Sequence, residues 1–497
     1  MMRSGRLILL GVDGMDFEYT KSILQKLPTL RVIAEEGGFL PFKSVFPPDS
    51  IPAWITAYTG KDPSSHGVLE SVDYLAKGDD RFKVDCSVFR ENTFWDALGR
   101  NGIKVAVVNP FMAYPAWEVN GVMISGPVFI SGEIQCSAPE FVNDLQIPNS
   151  FGGIVDFPTR KNLKEFCDKT FHDTREQINF GLKLLEKNRP DFFFQVFLTM
   201  DRLQHFLWRY SDPTDPTYPG KNEYKDMIEK FYILIDQGIG QFLDLLEPHD
   251  TLMVISDHGH GMRCTHCFNI NEYLRRKGYV KSSAEGKIFS RTLITEKLKN
   301  RVLKFMNDHD LEDYISVIAK LVPNAKGLKK GKHITDSSRN IAYASDFTGT
   351  NPFGGICVNS ALIEDYEKFR EKLIDDLKSL EYEGKPVFEW ITRREDLYNG
   401  EFLEKFPDIL FKMGSRFGVN WALHTELFSV NPTHKKISGG HRDLGIISMG
   451  GNGGIRLLPD RLKIENLFAS ILNYYGLQSQ PEYSESSFIW REEKRNI

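Results

Sequence analysis

Seven side chains of types that grip divalent cations or attack electrophiles stand out along the sequence: Asp13, Ser50, Asp201, His205, Asp257, His258 and His441. Mixed carboxylate and imidazole donors suit zinc, with manganese second, better than magnesium or calcium. A hydroxyl set between two such cations is a nucleophile for displacement at phosphorus. Asp201 and His205 lie four apart in Met200–Trp208 (MDRLQHFLW), so a helix there puts both on one side, able to hold one cation. Asp257 and His258 are adjacent and followed by Gly259, which has no side chain to keep the backbone at a distance. Each piece alone also has an ordinary reading. The Asp–His pair is a capping carboxylate beside an exposed imidazole, and the Asp-x3-His pair a solvated helix face. It is the ordered set, placed at strand ends, that favours the metal reading.

The apolar runs supply those strand ends. Leu7–Val12 (LILLGV) leads into Asp13, Asp191–Thr199 (DFFFQVFLT) into Asp201, and Leu252–Ser256 (LMVIS) into Asp257. Open α/β sheets collect ligands at the carboxyl ends of their strands, so three carboxylates just past three strands converge in space. Thr20–Glu36, Asp173–Lys187 and Asp226–Leu246 read as helices. The last spaces Ile228, Phe231, Ile235, Ile239, Phe242 and Leu246 at three or four residues. Lys104–Asn109 (KVAVVN) and Gly354–Asn359 (GGICVN) read as further strands, and Leu462–Tyr475 as a closing helix. Strand, helix, strand in alternation predicts a parallel sheet covered on both faces. From about Lys281 to Asn340 the chain turns rich in Lys, Arg and Ser, with the loose stretch Pro323–Lys332. This predicts a core of residues 1–280 and 341–497 with an insertion at 281–340, either a cap or lid over the site or a solvated loop.

Composition narrows the function classes. At 497 residues the chain exceeds the size at which one core usually stops growing, so one elaborated domain or two are expected. Its 41% hydrophobic and 26% charged content is that of a globular protein, and 62 Lys and Arg against 67 Asp and Glu give a net charge of -5. That balance argues against a nucleic-acid-binding surface. No stretch approaches the roughly 18 uninterrupted apolar residues of a membrane span, and the first apolar run is too short for a secretion signal. Six cysteines in so long a chain form no disulfide framework. These features predict a soluble cytoplasmic protein and leave the oligomeric state open.

Ser50 lies in Phe46–Trp54 (FPPDSIPAW), where a helix start tolerates Pro52 in its first turn and offers free backbone N–H groups to phosphate oxygens. Its ordinary reading is an N-cap. Cys264 and Cys267 flank His266, but no second pair follows at finger spacing, so a structural zinc is disfavoured. His260 and His266 lie close to the Asp257–His258 pair and read as ordinary loop histidines, with lining of the site as the alternative. His66 reads as a support for the nucleophile loop. Trp54, Trp208 and Tyr210 read as core residues, with the lining of a leaving-group pocket as the alternative.

The ordered motifs GVDG, FPPDSIPAW followed by TGKDPSSHG, MDRLQH, SDHG and GGH resemble the type I phosphodiesterase/nucleotide pyrophosphatase family of the alkaline phosphatase superfamily. The resemblance runs from about Leu7 to about Leu477, weakest in the insertion. GGICVNS, RREDLYNG and KFPDILF are similar to a bacterial and archaeal branch. It implies an alkaline-phosphatase-like α/β sandwich, with a mostly parallel central sheet flanked by helices and an inserted cap segment. It implies one zinc held by Asp13, Asp257 and His258 with Ser50 reaching it, and another held by Asp201, His205 and His441. Ser50 stands nine residues before Thr59 of the TG pair, the spacing of the family nucleophile, which is more often Thr. Where nucleotide pyrophosphatases place an Asn against phosphate, this chain has Glu70 and Ser71. Ser71 would donate one hydrogen bond there, whereas Glu70 would repel phosphate, so the nucleotide preference does not simply carry over. Ser50-Ile-Pro-Ala-Trp54 lacks the Arg of the sulfatase motif C/S-x-P-x-R.

The implied function is hydrolysis of a small-molecule phosphodiester or pyrophosphate bond, nucleotide-like or otherwise, through a phospho-serine intermediate. A phosphomonoesterase or phosphotransferase of the same superfamily, or a non-catalytic binder of a phosphorylated ligand, are the alternatives.

Overall fold

The computed structural model describes residues 5–36, 38–69, 86, 89–128, 132–152, 158–281, 339–344, 350–451, 455–477 and 487–491. The chain divides into two compact units, one of Met1–Ser211, Lys221–Gly261 and His441–Ile497, the other of Asp212–Gly220 and Met262–Gly440.

The first unit is built on an eight-stranded sheet. Its members are β1 (Leu7–Val12), β2 (Phe39–Lys43), β3 (Val105–Val108), β4 (Gly121–Ser125), β5 (Gln135–Cys136), β6 (Phe192–Phe197), β7 (Thr251–Ile255) and the strand Leu444–Gly451. The order across the sheet is β2, Leu444–Gly451, β7, β1, β6, β3, β4, β5. The inner five strands from β7 to β4 are parallel, and antiparallel pairs close both edges. Every residue of β1, β6 and β7 is buried, as parallel strands covered on both faces must be. That is why they appear in the sequence as unbroken apolar runs.

The helix Met227–Asp244 keeps close to its predicted bounds, whereas Leu163–Asn188 begins well before the predicted Asp173. The single helix predicted over Thr20–Glu36 is instead Phe17–Ser22, a 3-10 turn Leu24–Lys26 and Pro28–Glu36. Pro28 cannot donate into a preceding turn and disfavours helical geometry at Leu27, so the helix restarts there.

The second unit holds a four-stranded antiparallel sheet in the order Ala342–Ala344, Phe353–Val358, Ile409–Met413, Phe388–Arg393, with the helix Tyr366–Lys378. It also holds a three-stranded sheet of Phe417–Asn420, His266–Asn269 and Phe428–Val430 and a short pair of Glu381–Tyr382 with Lys385–Pro386. It has its own core around Phe268, Ile356, Leu373 and Phe411. The main span of this unit, Met262–Gly440, encloses the 281–340 insertion read from composition, of which residues 282–338 lie outside the described residues. Among the described residues no helix is long and apolar enough to cross a membrane.

Candidate metal and nucleophile site

The registers of the central strands explain why distant residues meet. Gly11 of β1 lies opposite Val196 of β6 and Ile255 of β7, so all three strands end at one level. Asp13 follows β1, Asp257 follows β7, and the helix Thr199–Ser211 starts two residues after β6 and carries Asp201 and His205. Gly14, with φ 71°, lets the β1 loop pass close to Asp201, where an added Cβ would sit 3.0 Å from the Asp201 side chain. His441 sits in the short strand Gly439–Arg442. All seven residues singled out in the sequence belong to the first unit.

Six of them, together with His260, form three overlapping groups of donor atoms, each spanning no more than 4.8 Å: Asp13, Asp257 and His258; Asp201, His258 and His441; Asp201, His205 and His260. The predicted set Asp201, His205 and His441 is thus divided between two of them. His258 Nε2 lies 3.6 Å from Asp13 Oδ1 and 3.3 Å from Asp257 Oδ2. His205 Nε2 lies 3.2 Å from Asp201 Oδ2 and 3.2 Å from His441 Nε2, and His441 Nε2 is 3.5 Å from Asp201 Oδ1. Nδ1 of His258 donates to the carbonyl of Gly259 at 2.9 Å, and Nδ1 of His441 to that of Pro48 at 3.0 Å. Both rings therefore turn Nε2, the nitrogen a metal ligand would use, towards the cluster. Burial works against a charged His441, but Asp201 raises it to about 9, so in the metal-free site its Nε2 carries a proton that a metal would displace.

Ser50 Oγ lies 3.2 Å from Asp13 Oδ1 and 3.0 Å from His258 Nε2. It opens the helix Ser50–Thr59, but the cap is Asp49, whose carboxylate accepts from Ile51 N–H at 3.2 Å. The hydroxyl is thus not spent on capping. The expected row of free N–H groups is largely used up, however. Ile51 donates to Asp49, Pro52 has no N–H, and Ala53 closes the first turn on the Asp49 carbonyl. Charge neutralisation at Ser50 must come chiefly from elsewhere. Ser71 and Glu70 lie outside the described residues.

The carboxylates crowd together, Asp13 and Asp257 buried and Asp201 partly so. Burial first, then the charge of Asp201, pushes Asp13 up to about 8, and burial, then the charges of Asp13 and Asp201, push Asp257 well above the carboxylate range. Burial also works against ionised Asp201, but the imidazoles of His205 and His441 outweigh it and hold that carboxyl well below its ordinary value. Burial, seconded by His441, lowers His258 to about 3.

Four buried atoms here have no hydrogen-bond partner: Asp201 Oδ1, Asp257 Oδ2 and both ring nitrogens of His260. Leaving such atoms unpaired costs about 1–3 kcal/mol each, more when charged. Two ligands about 2.05 Å from one tetrahedral zinc stand about 3.3 Å apart, and the 3.2–3.6 Å separations above match that edge. The donor set fits divalent cations.

Two neighbours for which the sequence offered a site role only as the alternative lie in this site. Trp54, read as core, is buried as expected, and its Nε1–H also donates to Asp13 Oδ2 at 2.9 Å, fixing that carboxylate. Gly11 makes room for its ring: a Cβ there would lie 2.5 Å from Trp54. His260, read as a loop histidine, is buried within β8 (Gly259–Met262) with Nε2 3.4 Å from Asp201 Oδ1. The signal for it was the alternation His258-Gly259-His260, since residues two apart in an extended segment share a face. Cys264 and Cys267 are buried, burial pushes the Cys267 thiol up, and neither joins a donor group among the described residues.

His66 is a structural support. Its Nδ1 accepts from Val68 N–H at 3.1 Å, leaving Nε2–H to donate to Thr56 Oγ1 at 3.1 Å. Burial lowers it from 6.5 to about 3, so on acidification the unfolded chain takes up a proton before the folded one. Stability from this group is therefore complete above pH 6.5 and falls as pH drops towards 3, by at most about 1.4 kcal/mol per pH unit. His66→Gln is expected to cost about 1–3 kcal/mol at pH 7. Urea denaturation should show that difference from wild type shrinking as pH is lowered to 4. A difference independent of pH would mean the buried imidazole is not neutral.

A mostly parallel sheet with carboxylates and imidazoles gathered at its carboxyl edge defines a metal-dependent phosphoryl-transfer hydrolase of the alkaline phosphatase superfamily. Residues 7–365 match the model of the type I phosphodiesterase/nucleotide pyrophosphatase family, and the chain belongs to that family. The match stops short of His441, which the sequence resemblance had included. Solved structures similar to this chain include the phosphonoacetate hydrolase from Sinorhizobium meliloti 1021 in complex with phosphonoformate, at 15% identity and a TM-score of 0.51. The same enzyme in complex with phosphonoacetate gives 15% identity and a TM-score of 0.52. In both cases the alignment covers 95% of this chain and 96% of the other, a likeness of fold. No curated protein matches the chain.

Proposed function

We propose that the protein hydrolyses a phosphodiester or pyrophosphate bond of a small molecule, with Ser50 as nucleophile between two cation positions. The observation that carries this reading is the placement of Ser50 Oγ, 3.2 Å from Asp13 and 3.0 Å from His258, at the edge of a buried donor cluster. Asp13, Asp257 and His258 would hold one cation, and Asp201, His205 and His441 the other. Zinc, with manganese second, would lower the pKa of the hydroxyl and neutralise charge on the transferring phosphoryl group and the leaving oxygen.

Ser50 attacks phosphorus, the bond to the leaving oxygen breaks, and water then releases phosphate or phosphomonoester from phospho-Ser50. Trp54 keeps the Asp13 carboxylate in place throughout. Charge favours diesters over monoesters: a diester carries one negative charge, and the Asp49 carboxylate stands beside the nucleophile. Arg202 donates to the Gly152 carbonyl at 2.8 Å, and no Arg adjoins Ser50 in the sequence.

The purified protein should contain close to two zinc ions per chain. It should turn over bis-p-nitrophenyl phosphate faster than p-nitrophenyl phosphate. Chelation should abolish turnover, and zinc or manganese restore it. Full activity after exhaustive chelation would exclude the proposal, and preference for the monoester would replace it with a phosphomonoesterase. Phosphonoacetate, the ligand of the similar solved structure, belongs in the same panel.

A further inference from the structure

We infer that His260 is a further protein ligand of the Asp201 cation position, through Nε2, so that this position has three imidazoles and one carboxylate. The inference rests on the two-cation reading and extends it. His260 is 1% exposed and neither ring nitrogen has a hydrogen-bond partner. Its ring is held on two sides, stacked on Trp208 with centroids 5.9 Å apart, and anchored by its backbone N–H, which donates to Asp16 Oδ2 at 3.2 Å. Asp16 in turn caps the helix Phe17–Ser22. A rigid, buried imidazole with no partner is costly unless something meets it.

What Nε2 faces is Asp201 Oδ1, itself buried and unpartnered, at 3.4 Å. A charge-assisted N–H···O bond would be about 2.7–2.9 Å. The observed separation instead matches the about 3.3 Å edge between two ligands of one zinc. His441 approaches the same oxygen at 3.5 Å, and the His205 and His260 rings lie edge to face with centroids 4.7 Å apart. Asp201, His205 and His260 form a donor group of their own. Imidazole-rich sets favour zinc over manganese or magnesium, whereas the two carboxylates of the Asp13 position tolerate harder ions. The two positions are therefore unequal, the Asp201 position being the more zinc-selective.

The test compares metal binding by wild type, His260→Gln and His260→Phe, each stripped and titrated with zinc against a chromophoric chelator, then with cobalt(II). Gln can still donate a hydrogen bond towards Asp201, and Phe keeps the stack on Trp208. A ligand is replaced by neither. One of the two zinc equivalents should bind more weakly in both variants by more than the roughly 10–100-fold that loss of an outer-shell support costs, the other unchanged, and the cobalt visible spectrum should change at the weakened equivalent. Thermal unfolding of the stripped proteins checks that the variants fold. If His260→Gln binds both equivalents like wild type with an unaltered cobalt spectrum, His260 is a hydrogen-bonding support of Asp201 and the inference is wrong, while the two-cation reading survives. A wild type that binds no metal overturns both.

Discussion

Ser50→Ala is expected to lower turnover of bis-p-nitrophenyl phosphate by about 10³-fold or more, the scale of losing a covalent nucleophile, while zinc content stays at the wild-type value. The two outcomes separate because of where Ser50 sits. The N-cap of its helix is Asp49, so removing the hydroxyl leaves the cap intact, and Ala is a strong helix former. Thermal unfolding should move little. The hydroxyl contacts Asp13 and His258 at their outer edge and holds neither in place: Trp54 fixes Asp13, and the Gly259 carbonyl fixes the His258 ring. Ser50→Thr, which restores the oxygen at the cost of one methyl group, should recover much of the activity. Wild-type rates in the alanine variant would remove Ser50 from the chemistry and leave the donor cluster without its nucleophile.

How far the site was legible before any coordinates depends on which physical constraint wrote each residue into the sequence. β1, β6 and β7 are covered on both faces, so their sequences are unbroken apolar runs, and the polar residue that follows each run marks its ligand end. Asp13, Asp201 and Asp257 could be read that way, and His205 followed from Asp201 by helical spacing. His260 was marked only by its place two residues after His258, because β8 is four residues of which two are glycine and nothing else announces a strand. The hydrogen bond from Trp54 to Asp13 was silent, since an indole buried at 0% exposure looks in sequence like any core residue. The second unit, apart from the strand Phe353–Val358 read as Gly354–Asn359, was hidden for a different reason. Its other antiparallel strands are two to six residues long and several are only half buried, so neither an apolar run nor a clean alternation survives. The restart of the helix at Pro28, by contrast, was written in the sequence and was overlooked there.

Asp13→Asn should have opposite consequences for function and for the stability of the metal-free chain. With metal available, the variant is expected to lose one of its two zinc equivalents and about 10³-fold or more in diester turnover, since a neutral amide cannot replace a carboxylate ligand beside the nucleophile. Stripped of metal, the same variant should be more stable than wild type. Burial, aided by the charge of Asp201, raises the Asp13 carboxyl from 3.8 to about 8. Between those values the folded chain keeps a proton that the unfolded chain has released, so wild-type stability falls as pH rises through the window. The slope is at most about 1.4 kcal/mol per pH unit for this one group. Asparagine is close in shape, still accepts from the Trp54 N–H, and does not titrate, so its advantage should be absent near pH 4 and grow towards pH 8. Chemical denaturation of both stripped proteins at pH 5 and pH 8 reads the effect directly, and adding zinc should reverse its sign, because only the carboxylate gains the binding free energy. An advantage that does not grow with pH would show that Asp13 is already ionised in the metal-free site and that the repulsion among these buried carboxylates is met by some other charge.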